Sequence, residues 1–399
     1  MHSKVYQITR TLFGGGGEYA SRLSQALASS GCDSRVISLD GGLVPIVTGA
    51  TERLSAVYDR ILTSVINRRS TAPFSSFLRV SRFRSSQTIS EGDIVHLHSI
   101  TGFIGSRGLR SLIPKGAKVF WTAHNPWTFT AGCVLYQGCD RYQSGCNACP
   151  ILRFPVRSLS KLEYRIKADF IRDYNIQPIA NSEWMASMIR QSPWFSHVHD
   201  IPIIKPIVQP CFHEGGKRRM DLNLSSDDKV VIGLGARSLT DHYKGIKEFF
   251  NNLPTDAPWL KKVRFLLFGE GSLSLPPNLD VKMMGALRSP EAMAKAYRSM
   301  DLYVSPTSME TFGMTLVEAQ ACGTPVLAFS TGATPEAVCP GAGWLVNNGD
   351  FVSLYEILGG LCERGELLDH GSNASQWVSK HHASNVIALD QIKIYESLK

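Results

Sequence analysis

The chain is 399 residues long, more than one typical core accommodates, so two domains are expected. With 43% hydrophobic and 19% charged residues and no biased tract, the composition excludes disorder, and no apolar run approaches the roughly 18 residues of a membrane span. The formal net charge of +8 is uneven, with 24 Lys and Arg against 13 Asp and Glu in residues 1–210 but 18 against 21 in residues 211–399, which predicts two surfaces with different partners.

The first elements read strand, loop, helix. Residues 4–8 are strand-like, Gly14, Gly15, Gly16 and Gly17 form a loop, and residues 18–29 predict a helix with Tyr19, Leu23, Ala26 and Leu27 on a 3.6-residue period. Gly31 stops it, and residues 35–39 supply the next strand of a βαβ unit. The glycines lack the spaced G-x-G-x-x-G fingerprint, so Asp40 after the second strand does not make an NAD site. They suit instead a loop on which another ligand packs at the helix start. No signal-peptide core follows Lys4, so a cytoplasmic location is expected.

Residues 51–90 interleave Arg53, Arg60, Arg68, Arg69, Arg79, Arg82 and Arg84 with apolar residues such as Leu54, Ile61, Val65 and Phe77. Such a segment either lies on an anionic membrane, as in a peripheral membrane protein, or covers the sheet with its apolar face. Strands are predicted over residues 93–98, 118–122 and 176–180. Between the last two lie Cys133, Cys139, Cys146 and Cys149, four of the nine cysteines. The closing C-x2-C is a common zinc half-site and the first pair is spaced more widely, so the four either hold a structural zinc or are free, partly buried thiols.

Pro202, Pro206 and Pro210, followed by a polar stretch at 213–219, place a boundary near 205–215. The expected domains are 1–207 and 208–379, with residues 380–399 packing back on the first by analogy of fold. A second strand series is predicted over residues 229–233, 263–268, 281–284, 302–305, 325–329 and 343–346. Strands alternate with helix-like stretches in both halves, which is doubly wound α/β architecture twice.

The segment from Ser305 to Ala328 reads strand end, loop, helix, strand. Glu310 lies in the loop, and Glu318 follows eight positions later, about two helical turns inside. Thr311, Phe312, Gly313, Met314 and Thr315 lie near the helix start, where unpaired backbone N–H groups and the dipole's positive end suit a diphosphate. Glu318 can accept hydrogen bonds from two ribose hydroxyls, and Glu310 can reach hydroxyls of a transferred sugar. Arg237 ends one strand and Lys244 opens a helix, and both can balance the charge of a leaving diphosphate. Gly269, between Phe268 and Glu270 at another strand end, lets a base or ribose approach the backbone.

Glu310 with Glu318, Arg237 with Lys244, and Gly15-Gly16 followed by Glu18 resemble retaining GT-B glycosyltransferases of glycosyltransferase family 4. The resemblance covers most of the chain and is sharpest over residues 229–346, while residues 121–150 resemble a subgroup making bacterial surface polysaccharides of the colanic-acid type. It implies two Rossmann-like domains facing across a cleft, a nucleoside diphosphate sugar as donor on the C-terminal domain, and an acceptor on the N-terminal one. It also implies hexosyl-type transfer with retention of configuration and without a metal, to a glycan or lipid-linked acceptor. His124 matches the family's histidine near the transferred sugar, and Gly15 and Gly16 match the loop approaching the phosphates. Asn125 departs from the Asp often found after that histidine, which removes any acid role there. A sugar-nucleotide epimerase and a non-catalytic scaffold are the alternatives within the same fold. No motif with aromatic platforms accompanies the basic residues, which argues against nucleic acid.

Overall fold

A computed structural model of the protein describes residues 3–12, 14–40, 43–45, 74–78, 83–213, 229–364 and 367–397. The chain divides into two compact units, residues 1–207 with 384–399, and residues 208–383. Apart from Arg84, the arginines of the basic 51–90 segment lie outside the described residues.

The first unit is built on a parallel sheet of five strands: β1 (Val5–Ile8), β2 (Ser34–Ile37), β5 (Ile94–Leu97), β6 (Lys118–Ala123) and β7 (Gln177–Ala180), in the order β2-β1-β5-β6-β7. β3 (Leu43–Pro45) and β4 (Phe83–Ser85) form a separate antiparallel pair. β1 and β5 are buried along their whole length, the state of parallel strands covered on both faces. The helix Gly15–Ser29 buries Tyr19, Leu23, Ala26 and Leu27, and its chain reverses through Gly31 at φ 83°. Ile387, Ala388 and Tyr395 of the helix Ser384–Ser397 pack into the same apolar cluster as Tyr19, Leu23 and Leu27.

The second unit holds six parallel strands: β8 (Val230–Ser238), β9 (Val263–Glu270), β10 (Val281–Gly285), β11 (Leu302–Ser305), β12 (Val326–Ser330) and β13 (Gly343–Asn347), in the order β10-β9-β8-β11-β12-β13. Phe249, Phe250, Phe265, Leu358 and Trp259 are among the residues that fill one side of this sheet. In both sheets the winding reverses next to an early strand, between β1 and β5 and between β8 and β11. The carboxyl ends of strands at such a reversal are where α/β folds place ligands. Around those ends stand Gly14–Gly17 and His98 in one unit, Arg237 and Glu310 in the other.

Candidate functional site

In the second unit β11 ends at Ser305, and residues 306–313 lead to the helix Met314–Ala321. Gly313 precedes that helix at φ 103°, and no side chain caps it, so its first turn presents bare N–H groups. The loop is fastened to the turn at His242–Lys244. The Tyr243 carbonyl accepts hydrogen bonds from the Ser308 N–H at 2.8 Å and the Thr307 hydroxyl at 2.9 Å. Asn348 and Thr331 both donate to the Ser308 carbonyl.

This fastening sets Lys244 against Glu310. Lys244 Nζ lies 2.9 Å from Glu310 Oε2, with side-chain exposures of 25% and 18%. Burial opposes the ammonium charge, but the Glu310 carboxylate outweighs it and the Lys244 pKa is raised. Glu310 Oε1 accepts the Thr311 N–H at 3.1 Å, so both carboxylate oxygens are engaged. Two glycines permit the arrangement. Gly245, at φ 68°, lies so close to the Pro306 carbonyl, and Gly332, at φ 53°, so close to the Glu310 carbonyl, that neither position has room for a Cβ.

The other residues expected here fall into distinct situations. Arg237 is exposed at the end of β8 and makes no ion pair among the described residues. Glu318 is 7% exposed on the helix, with Tyr303 and Tyr297 in its electrostatic range. Thr315 interacts with the Tyr303 hydroxyl, which donates to the Gly235 carbonyl at 3.0 Å, and burial raises the Tyr303 pKa to about 12. Met314 is partly exposed in the first helical turn. Phe312 and Gly269 have different surroundings. The Phe312 ring is 3% exposed and packs edge-on to His382, so only its backbone is left for a ligand. Gly269, at φ 141°, lies so close to the Ala236 carbonyl that a Cβ has no room there.

In the first unit His124 follows β6 and retains partial exposure. Its Nε2 lies 3.1 Å from His98 Nδ1, and the Tyr19 ring stands edge-on to it at 4.8 Å. Burial lowers the His124 pKa to about 4, and burial also lowers His96 and His98 well below the usual imidazole range. Asn125 Oδ1 accepts the Trp127 N–H at 3.0 Å, which makes it the cap of the turn Pro126–Thr128. Gly15 faces open space, whereas Gly16 abuts Ser99 and Gly17 the Thr11 carbonyl, so these two let the helix start close on the strand ends. Glu18 reaches back to the Gly14 N–H and pairs with Arg22, a capping role. Asp40 accepts the Leu12 N–H.

The four cysteines were expected either to hold a structural zinc or to be free, partly buried thiols. Among the described residues no three His, Cys, Asp or Glu side chains are grouped to hold a metal ion. All four thiols are free; those of Cys133 and Cys149 hydrogen-bond each other, and Cys146 Sγ takes the Ala131 N–H at 3.4 Å. Cys139, Cys146 and Cys149 all lie within electrostatic range of the Cys133 thiol.

Sequence reasoning passed over Gly245, Gly332, Tyr303, Gln7 and His98. The signal for the glycines was their position, immediately after a turn or at a strand's carboxyl end. For Gln7 it was a polar residue in the middle of a fully buried strand.

Residues 229–364 match the family described as "Glycosyl transferases group 1". D-inositol 3-phosphate glycosyltransferase of Segniliparus rotundus is 41% identical over 175 residues, 40% of this chain and 38% of the relative. That of Mycolicibacterium smegmatis is 38% identical over 98 residues, 24% of this chain and 21% of the relative. The chain thus spans between about a fifth and two fifths of these relatives. Among solved structures, Anabaena HepE in complex with UDP and glucose superposes with a TM-score of 0.62 at 15% identity, covering 100% of this chain and 99% of that one. Sucrose-phosphate synthase from Thermosynechococcus elongatus does so at 0.64 and 17% identity, covering 100% and 99%. No helix of the described residues is long and apolar enough to cross a membrane. The chain therefore has the GT-B fold, and its residues 229–364 match the glycosyl transferases of group 1.

Proposed function

We propose that the chain is a retaining, hexosyl-type glycosyltransferase that moves a sugar from a nucleoside diphosphate sugar to a glycan or lipid-linked acceptor in surface-polysaccharide assembly. The observation that carries this reading is the Lys244–Glu310 pair beside the uncapped helix start at Gly313, at the sheet's winding reversal. A diphosphate needs cations and free N–H donors, and a sugar needs a fixed carboxylate; both occur within one clamped loop. The UDP and glucose held by HepE support a UDP-sugar as the first donor to test.

In this reading the second unit takes the donor and the first the acceptor. Lys244, Arg237 and the N–H groups of residues 313–315 stabilise the departing diphosphate. Glu318 takes the ribose hydroxyls, and Glu310 takes hydroxyls of the transferred sugar once the phosphate competes for Lys244. His124 takes a further sugar hydroxyl. The acceptor hydroxyl attacks on the face that the diphosphate leaves, and its proton passes to the leaving phosphate. No step draws on a metal. The likeness of residues 121–150 to colanic-acid-type enzymes supports a surface-polysaccharide acceptor. The basic 51–90 segment supports a place on the inner face of the cytoplasmic membrane.

A thermal-shift and calorimetric series with UDP-, GDP- and ADP-glucose tests the donor. One nucleotide sugar raises the melting temperature of the wild type, and Lys244→Ala weakens its binding roughly 30-fold, the worth of one charge-assisted contact of about 2 kcal/mol. No stabilisation by any nucleotide sugar, or an epimer formed from donor alone, overturns the reading.

A further inference from the structure

The first unit contains a buried chain of polar side chains with a definite order. His124 Nε2 lies 3.1 Å from His98 Nδ1, and His98 Nε2 lies 2.6 Å from Gln7 Oε1. Gln7 Nε2 is 3.3 Å from Tyr395 Oη and 3.4 Å from Ser34 Oγ. Tyr395 Oη is 2.6 Å from His96 Nδ1, and His96 Nε2 is 2.7 Å from Thr122 Oγ1. Gln7, His96 and His98 are 0%, 0% and 3% exposed, so every hydrogen in the chain must find an acceptor among these groups.

Donor counting fixes its direction. The Gln7 amide has two hydrogens, and two oxygens, of Ser34 and Tyr395, stand on its Nε2 side. Reversing the amide would aim those hydrogens at His98 Nε2 alone and leave one buried donor without an acceptor, a cost of about 1–3 kcal/mol. With Gln7 Oε1 facing His98, the neutral His98 ring must carry its hydrogen on Nε2. Its Nδ1 is then a lone pair, which can only accept, so His124 must carry its hydrogen on Nε2. The same logic continues on the far side. Gln7 donates to Tyr395 Oη, the Tyr395 hydroxyl donates to His96 Nδ1, and His96 Nε2–H donates to Thr122.

We propose that Gln7 and His98, closed off by Tyr395 of the C-terminal helix, act as positioning residues that hold His124 in the Nε2–H tautomer and present its Nδ1 as a hydrogen-bond acceptor for a sugar hydroxyl. His124 Nδ1 makes no hydrogen bond among the described residues, and the ring is partly exposed. Burial of all three imidazoles keeps them neutral, as the ordering requires. The part given to His124 rests on the function proposed above; the tautomer does not. His124 therefore acts as a neutral acceptor and not as an imidazolium acid.

Nitrogen-15 NMR of histidine-labelled full-length protein, without substrate, reads the tautomer directly. The expected His124 signals are a protonated Nε2 and an unprotonated Nδ1. His98→Leu removes the acceptor and gives mixed tautomers at His124, with kcat down about 10-fold, the worth of one hydrogen bond, and donor KM unchanged. His98→Asn, whose amide oxygen can stand where Nδ1 stood, restores the Nε2–H tautomer and most of the loss in kcat. A His124 ring protonated on Nδ1 in the wild type, or a tautomer unchanged in a folded His98→Leu, overturns the ordering whatever the activity. Full turnover in His124→Ala, alongside the expected tautomer in the wild type, overturns instead the part given to His124 in transfer.

Discussion

Replacing Gly332 by Ala isolates the backbone support of Glu310. Gly332 follows β12 at φ 53°, and a Cβ there would lie well inside 3.0 Å of the Glu310 carbonyl oxygen. The left-handed conformation alone costs a non-glycine residue roughly 1–2 kcal/mol. Relieving the clash requires the loop at 306–313 to retreat by about 1 Å, at an overpacking cost of roughly 1–3 kcal/mol. Stability should fall by about 2–5 kcal/mol in all. A displacement of that size at a reacting group is worth about 100-fold in rate. Gly341→Ala provides the comparison, because Gly341 has a similar φ of 75° but open space around its Cβ position. It should lose only the conformational term and leave transfer unchanged. Urea midpoints give the stabilities, and steady-state transfer from a UDP-sugar gives the rates. A folded Gly332→Ala enzyme with wild-type kcat, or equal loss of activity in Gly341→Ala, would refute the idea that this glycine positions Glu310.

Two further outcomes follow from buried titratable groups. His96, His98 and His124 have folded-state pKa values below the ordinary 6.5, so the unfolded chain binds more protons in acid. Stability should be full above pH 6.5 and fall as pH drops below it, by up to about 1.4 kcal/mol per pH unit for each histidine, with His124 contributing down to about pH 4. Urea midpoints at pH 7, 6 and 5 read this slope, and a flat profile contradicts it. Lys167 is fully buried and donates to the carbonyls of Trp127, Thr130 and Ala131, with its ammonium 3.8 Å from the Trp127 ring centre. Lys167→Met should cost about 3–5 kcal/mol, because those carbonyls and the nearby Glu163 lose their partner. A urea midpoint within 1 kcal/mol of wild type would show that the loop at 127–131 is held otherwise.

The strands were the most legible part of the sequence. Runs such as Phe265–Phe268 and Leu302–Val304 are buried on both faces, and a doubly covered parallel strand favours continuous apolar residues. The pairing of Lys244 with Glu310 was within reach as a set of residue types, but its geometry depends on which donors reach the Tyr243 carbonyl and on glycines whose meaning is a distance to a remote backbone. Phe312 illustrates the limit: it adjoins an expected ligand site in sequence, yet its ring turns inward to His382. Lys167 carried no local signal at all, because the carbonyls that make its burial tolerable come from some 40 residues upstream.

The division of the chain sets an order of manufacture. The second unit is threaded between residue 207 and residue 384, so the first unit's last helix is synthesised only after all of the second. Until Tyr395 emerges, the buried polar row behind β1 and β5 lacks its final donor, and the cavity that its ring fills beside Phe120 stands open. A nascent chain should therefore hold a finished second unit and an unfinished first one. A chain interrupted before Tyr395 would be damaged in the half farthest from the break in sequence.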